Sequence, residues 1–476
     1  MQFLAPPPPK WTHSPENHPT SSRPSLPKYR AVISIVFFVT APRIHFFFIR
    51  ISPWQLKPME SSKTSTAGQD MKSLRVFTIL SLGLFSAGHA SAAVPMKLPL
   101  DASADGYYES MTWGVGSDGY RRSKDPQGVF YTISDRGPNV DCEDSEDVFG
   151  KEICKEGKIF PMPSFIPSIL KWTWTKGKEP RLEKVIPLKN KLGLPVSGLS
   201  NPWISAPSES AIAINGETLP YDVDGVDPEG LVAMDDGSFW VSEEYGPSLM
   251  HVSSDGEILE RWVPEGMEKD IALANYPVYG KLPAILKQRK LNRGMEALTL
   301  SPDGRKLIVA MQSALQNPDT STAKSSRVVR FLTVDLKAKK VDGMFAYEMN
   351  PAQDFAVEGA GKVKNGDLKI SSIAYLGDKL LVQERTDDTM KIFEFKLGEN
   401  LLGFTLASNM ISPTLEESKI NSSKKKIFWD AKESGLKLPG KIEGMIILDE
   451  KSILLVNDND FGLAGVESEA LLLSID

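Results

Sequence analysis

Short apolar runs recur along this chain, and each stops at a cluster of polar side chains. "VFYTISDRGP" ends at Asp135 and Arg136, "SFWVSEEYGP" at Glu243 and Glu244, and "KLIVAMQSAL" at Gln312 and Ser313. "KLLVQERTDD" ends at Glu384 and Arg385, and "SILLVNDNDFG" at Asp458. Four of these five have a matching apolar run upstream, across a turn: "DPEGLVAMDDG", "GMEALTLSPDG", "KISSIAYLGD" and "KIEGMIILDE". The turns "DDG" and "PDG" carry the Asp-Gly chemistry of tight hairpins. Further β-rich runs follow each cluster: "SLMHVSSDGEILERWV", "RVVRFLTVDLKAKKVDGMFAYEM" and "MKIFEFKLGENLLGF", each read as two strands about a turn. The unit is therefore about four antiparallel strands, returning about every seventy residues.

This repeat predicts an all-β fold, a β-propeller of five to six blades with four antiparallel strands each. Five units are visible, and a sixth would have to lie in residues 155–225. The final run "EALLLSID" and the early segment "KLPLDAS" are placed to pair and close the ring, which removes exposed sheet edges. Helices are scarce; residues 283–289 are one short candidate. Glu229, Glu296 and Glu443 each precede Gly or Ala at the start of an inner strand, so they are expected to face one mouth. Asp135, Glu243, Glu384 and Asp458 end the adjacent strand and ring the channel at that rim or the opposite one. Polar residues at strand ends also satisfy turn amides; the repetition in three units is what favours a shared site.

The chain has 476 residues, and its N-terminal part reads differently. Residues 71–95 are "MKSLRVFTILSLGLFSAGHASAAVP", with Lys72 and Arg75 before an apolar stretch over 76–85 and Ala90-Ser91-Ala92 as a cleavage site. The reading is residues 1–70 as translated upstream sequence, 71–92 as a signal peptide and 93–476 as a single propeller domain. A transit or anchor role for residues 1–70 is the rival. The apolar run over 31–40 is too short to span a bilayer, and no span is predicted in the mature chain. The mature protein is expected to be exported, to a periplasm or the medium. In that setting Cys142 and Cys154 of "DCEDSEDVFGKEIC" point to one local disulfide, because a zinc site needs more ligands than this pair supplies.

Composition narrows the chemistry. A net charge of −6 argues against a nucleic-acid partner. Of five histidines only His251 lies beyond His89, so multi-histidine metal sites cannot be built. His251 is read as structural, and no G-x-S-x-G elbow offers a serine nucleophile. Carboxylates, amides and carbonyls remain, and these suit hard cations, calcium above all. Crowded carboxylates need a cation or an arginine between them to stay ionised. Arg136, Arg293 and Arg385 are interleaved with them and suit an anionic group. The inventory fits a metal-assisted hydrolysis of a small anionic ester, and equally a propeller that only binds.

"DPEGLVAMDDGSFWVSEEYGPSL", "NRGMEALTLSPDGRKLIVAMQSAL", "IEGMIILDEKSILLVNDNDFG" and "ISDRGPN" together resemble the family described as having esterase-like activity of phytase, the phytase-like domain of exported bacterial proteins. The resemblance covers roughly residues 105–475. It implies a β-propeller and hydrolysis of phosphate or other esters. The matching positions are assigned as follows. Glu229, Glu243, Glu296 and Glu443 are the catalytic candidates. Arg136, Arg293 and Arg385 are the substrate-binding candidates, and Asn292 lies beside Arg293. Asp135, Glu244, Glu384, Asn457, Asp458 and Asp460 are the candidate ligands of a cation, with calcium as the expected one. Asn457, Asp458 and Asp460 are expected to share that cation with Glu229 and Glu443. Two departures make the ring of acids uneven: Met311-Gln312-Ser313 carries no acid, and Ser371-Ser372 stands where other units have Glu-Gly. A non-catalytic propeller that binds an anionic ligand or an envelope partner, and a lactonase-like propeller, stay open beside the hydrolase.

Overall fold

The structure is a computed structural model. It describes residues 89–90, 93–96, 111–359, 361–402, 420, 424–436, 438–463 and 465–475. The segment 1–70 and all of the expected signal peptide 71–92 except His89 and Ala90 lie outside the described residues. Those described belong to one compact unit within Ser81–Asp476.

Five sheets among the described residues repeat one plan. Blade 1 is Asp118–Tyr120, Val129–Ile133, Ser168–Thr173 and Arg181–Pro187. Blade 2 is Pro228–Ala233, Phe239–Glu243, Ser248–Val252 and Ile258–Pro264, with Val278–Leu282 added in parallel at its edge. Blade 3 is Met295–Leu300, Lys306–Met311, Val328–Asp335 and Lys340–Glu348. Blade 4 is Lys369–Leu376, Lys379–Arg385, Met390–Phe395 and Lys425–Asp430. Blade 5 is Ile442–Asp449, Ser452–Asn457 and Glu469–Ser474, completed by Val94–Pro95 and His89–Ala90. Within each four-stranded blade neighbouring strands are antiparallel, and short turns such as Asp235–Gly237 join many of them.

The first strands of the blades touch in a cycle, blade 1 to 2 to 3 to 4 to 5 and back to 1. That cycle is the wall of a propeller. Asp118, 1% exposed, crosses it: its carboxylate accepts from the Leu231 N–H in blade 2 at 3.2 Å and from the Ser372 hydroxyl in blade 4 at 2.9 Å. Burial raises its pKa well above the usual carboxylate range. Apolar side chains from facing sheets fill the space between blades, as with Val309, Phe331 and Tyr347 of blade 3 against Phe395 of blade 4.

The predicted repeat holds, with two differences. Residues 155–225 carry the outer strands of blade 1 and part of an inserted sheet, Val140–Asp141, Lys158–Phe160 and Ala211–Ala213, rather than a sixth blade. "MKIFEFKLGENLLGF" is not a hairpin. Its second half leaves blade 4, and the Leu401 N–H bonds to Met344 O of blade 3, so the fourth strand comes from "KKIFWD". The ring closes through Val94–Pro95 against Ala470 and Glu469; "KLPLDAS", expected to pair there, lies outside the described residues. Cys142 and Cys154 form the expected disulfide in the insert, and residues 284–288 form a short 3₁₀ turn.

Candidate functional site

The hairpin that opens each of blades 2 to 5 carries one shared irregularity. In blade 2, Pro228 pairs with Glu243 and Gly230 with Ser242, so Glu229 is an extra residue in the ladder. Glu296, Ser371 and Glu443 are the extra residues in blades 3, 4 and 5. A bulge bends its strand and re-aims one side chain. Here it presents Glu229, Glu296 and Glu443 to a cavity of about 440 Å³. The small residue that follows is a packing requirement. A Cβ on Gly230 would lie 2.2 Å from Ser242 Oγ, and one on Gly444 2.5 Å from Val456 Cγ2.

A second repeated feature completes the rim. The residue one past the end of the second strand donates its N–H back across the hairpin. Glu244 bonds to Asp227 O at 3.0 Å, Gln312 to Gly294 O at 2.9 Å, and Asp458 to Lys441 O at 3.0 Å. In blade 4, Arg385 pairs with Lys369 at the same place. Each blade thus offers three equivalent positions. They are Asp227, Glu229 and Glu244 in blade 2, and Gly294, Glu296 and Gln312 in blade 3. In blade 4 they are Lys369, Ser371 and Arg385, and in blade 5 Lys441, Glu443 and Asp458. Blade 1 contributes Asp135 and Arg136, just past Val129–Ile133.

Among the sequence-derived candidates, Asp135, Arg136, Glu229, Glu244, Asn292, Arg293, Glu296, Glu443, Asp458 and Asp460 line this cavity. Glu243, Glu384 and Asn457 do not, and strand alternation is the reason. Glu243 and Asn457 each precede a cavity residue by one position, and Glu384 sits at the equivalent place in blade 4, so these side chains point away from the cavity. Glu243 pairs with buried Arg261 at 3.0 Å and accepts from Gly246 N and Ser248 Oγ. Glu384 accepts from Tyr347, Lys425 and the Asn350 N–H. Asn457 accepts from Glu469 N at 2.6 Å and donates to Glu467 O at 3.1 Å. Arg385 is fully buried and paired with Glu443 and Asp387. Arg136 reaches the cavity with its charge already matched by Glu209 at 2.9 Å and Asp227 at 3.5 Å.

Sequence reasoning missed Asp227, Lys369 and Lys441 as site residues, although each lies two residues before a bulge. That offset, in "DPEG", "KISS" and "KIEG", is the signal that would have found them. It also missed Lys290, which lines the cavity beside Arg293. Backbone strain collects here. Asn292, Lys441 and Asp460 hold φ of +52°, +53° and +46°, and Phe461 one of +56°. Non-glycine residues persist in that region only where their surroundings impose it, which is common at functional sites.

The electrostatics are those of crowded acids. Carboxylate oxygens of Asp135, Asp227 and Glu229 all lie within 4.8 Å of one another, and so do those of Glu229, Glu244 and Glu296. Glu229 belongs to both groups. Burial raises its pKa well above the usual range, and Glu296 and Glu244 raise it further. Burial and Asp458 do the same to Asp135, and burial and Glu296 to Glu244. Glu296 is raised to about 7 by burial, partly offset by Arg385 and Lys369. Asp458 is raised to about 7 by burial and by Asp460, against Lys441. Such groups lose their cost of ionisation when a cation comes between them. Gln312 donates from Nε2 to Glu244 at 2.6 Å and to Glu296 at 2.8 Å, and its buried Oε1 has no partner.

The family described as "Phytase-like: Esterase-like activity of phytase" matches residues 117–461. An "Uncharacterized secreted protein" of Arthroderma benhamiae is 27% identical over 263 residues, which are 48% of this chain and 47% of that protein. The chain thus spans about half the length of this curated relative. Among solved structures, a luciferin-regenerating enzyme is 9% identical at a TM-score of 0.32, covering 80% of this chain and 95% of that one. The PQQ-bound aldose sugar dehydrogenase of Streptomyces coelicolor is 9% identical at 0.30, covering 82% and 96%. Among the described residues no helix is long and apolar enough to cross a membrane.

Proposed function

This chain belongs to the phytase-like family, described as having esterase-like activity of phytase, and on that premise we propose that it is an exported hydrolase of a small anionic ester. The observation that carries the reading is the pair of carboxylate groups that share Glu229. They fit a hard cation such as calcium: every donor is an oxygen, the donors are buried together, and each raises the proton affinity of the next. Asp135, Asp227, Glu229, Glu244 and Glu296 would hold it. A dication bound there supplies charge neutralisation and Lewis-acid polarisation of an ester oxygen.

The chain's own residues do the rest. Asp458, raised to about 7 by burial and Asp460, can hold or accept a proton at neutral pH. Glu443 is held in place at the rim by its bond from Arg385. The hairpins hold these groups on rigid strands, which limits the reorganisation needed during reaction. Hydrolysis of p-nitrophenyl phosphate and p-nitrophenyl acetate, in calcium and in chelator, tests the proposal. Turnover that chelator abolishes and Glu229→Gln removes is expected. Binding of phosphate without turnover of either ester would instead make this a propeller that only binds.

A further inference from the structure

We infer that Lys290, Arg293 and Lys369 form an oxyanion-binding half of the cavity, opposed to its carboxylate half, and that it receives the tetrahedral anionic group of the substrate. The inference rests on the hydrolase reading of this cavity and specifies which of its cations meet the ligand.

Lys369 and Arg385 of blade 4 stand at the positions that Asp227 and Glu244 hold in blade 2. Lys369 lines the cavity and Arg385 is buried outside the lining, so it is through Lys369 that blade 4 presents a charge opposite to that of Asp227 in blade 2. Three of the cavity's cations are already paired: Arg136 with Glu209 and Asp227, Lys158 with Asp141, and Lys441 with Asp460. Arg293, by contrast, has no ion pair among the described residues; its one bond, 3.4 Å to Leu368 O, places the guanidinium beside Lys369. Lys369 has only a loose pairing, 3.8 Å to the exposed Asp387. Lys290 lines the same wall and has neither a hydrogen bond nor an ion pair there.

These cations also oppose one another. Burial and the charges of Arg385 and Arg293 lower Lys369 to about 8, and partial desolvation and Arg293 lower Lys290, whose side chain stays exposed at the cavity mouth. Glu244 and Glu296 act on Arg293 from the carboxylate half without closing an ion pair with it, and an anion set among these like charges relieves them, as a cation relieves crowded carboxylates. A guanidinium flanked by two ammonium groups suits a multiply charged tetrahedral oxyanion better than a single carboxylate, because it has oxygens for all three.

The test is calorimetric titration of the purified protein with inorganic phosphate, in saturating calcium and again in chelator. The variants are Lys290→Gln, Arg293→Gln, Lys369→Gln and Arg293→Lys, with the melting temperature of each measured in both buffers. Wild type is expected to bind phosphate. Each Gln variant should weaken binding by about ten- to a hundredfold, the loss of one charge-assisted bond, and Arg293→Lys should recover part of it. Lys290 is exposed, so its variant reports on binding even if a buried one unfolds. Unchanged phosphate affinity in Lys290→Gln and in a folded Arg293→Gln would overturn the inference while chelator-sensitive turnover keeps the hydrolase reading. Phosphate binding that depends on these residues in a protein indifferent to calcium would sustain the inference and sink the cation-dependent reading.

Discussion

The side-chain amide of Gln312 donates to Glu296 across 2.8 Å, tying the end of one strand to the bulge at the start of its partner. The same nitrogen reaches Glu244 of the neighbouring blade at 2.6 Å. Gln312 is thus a neutral clip between two carboxylates that repel each other. Gln312→Met should cost about 1.5–3 kcal/mol in chelator, since both carboxylates lose a buried donor. Urea unfolding measures this, and stability unchanged from wild type would show that the amide does not hold them.

Strand alternation makes Glu243 and Glu244 opposites despite their adjacency. Glu243→Ala leaves Arg261 buried without its carboxylate, a loss of about 3–5 kcal/mol. The response of the folded protein to calcium should survive. Glu244→Ala removes one of several mutually repelling carboxylates, so stability in chelator should hold or rise while the calcium response falls. Melting temperatures of the two variants in both buffers check the contrast, and identical behaviour would refute the assignment of their side chains to different faces.

His251 should make the fold sensitive to mild acid. It stacks on Trp240 with ring centroids 4.8 Å apart and bonds through Nε2 to Ser238 Oγ at 3.1 Å, and burial lowers its pKa below 6.5. The unfolded chain therefore takes up its proton first as pH falls. Its contribution to stability is full above pH 6.5 and declines as pH drops from there through the folded value. Chemical unfolding between pH 8 and about 5 should give wild type a steeper loss than His251→Gln. Parallel profiles would mean that His251 titrates alike in both states.

Reduction of the Cys142–Cys154 bond should loosen the insert without dismantling the blades. The bond closes a separation of 12 residues, and a loop of that order constrains the unfolded chain by about 3 kcal/mol. Asp141, Glu143 and Lys158 of that insert line the cavity. Limited proteolysis of the Cys142→Ser/Cys154→Ser variant should cut first within residues 142–158. Cleavage that begins in the blades would contradict the local role of the bond.

Much of the fold was legible because the apolar runs have the strand period and their turns carry Asp-Gly. Blade 1 announced itself less, since its first strand is only Asp118–Tyr120. The false hairpin after Phe395 arose because local pattern cannot show that Asn400 and Leu401 bond to blade 3 instead. In the site, Glu229, Glu296 and Glu443 were legible through the Glu-Gly or Glu-Ala repeat, whose physical basis is a bulge. Glu243, Glu384 and Asn457 were misplaced because polarity marks where a strand ends but not which of two adjacent side chains faces inward. Of "LLVNDNDFG", Asp458 and Asp460 line the cavity, while Asn457 and Asn459 bond to backbone around the turn.

The central claim is that the carboxylates sharing Glu229 hold a hard cation, and thermal unfolding with and without calcium tests it most directly. Calcium at a hundredfold excess over its Kd should stabilise the protein by about 2.7 kcal/mol, which raises the melting temperature by several degrees. Glu229→Gln should remove that rise while melting in chelator no lower than wild type. A wild-type protein that melts at one temperature in calcium and in chelator would contradict the account.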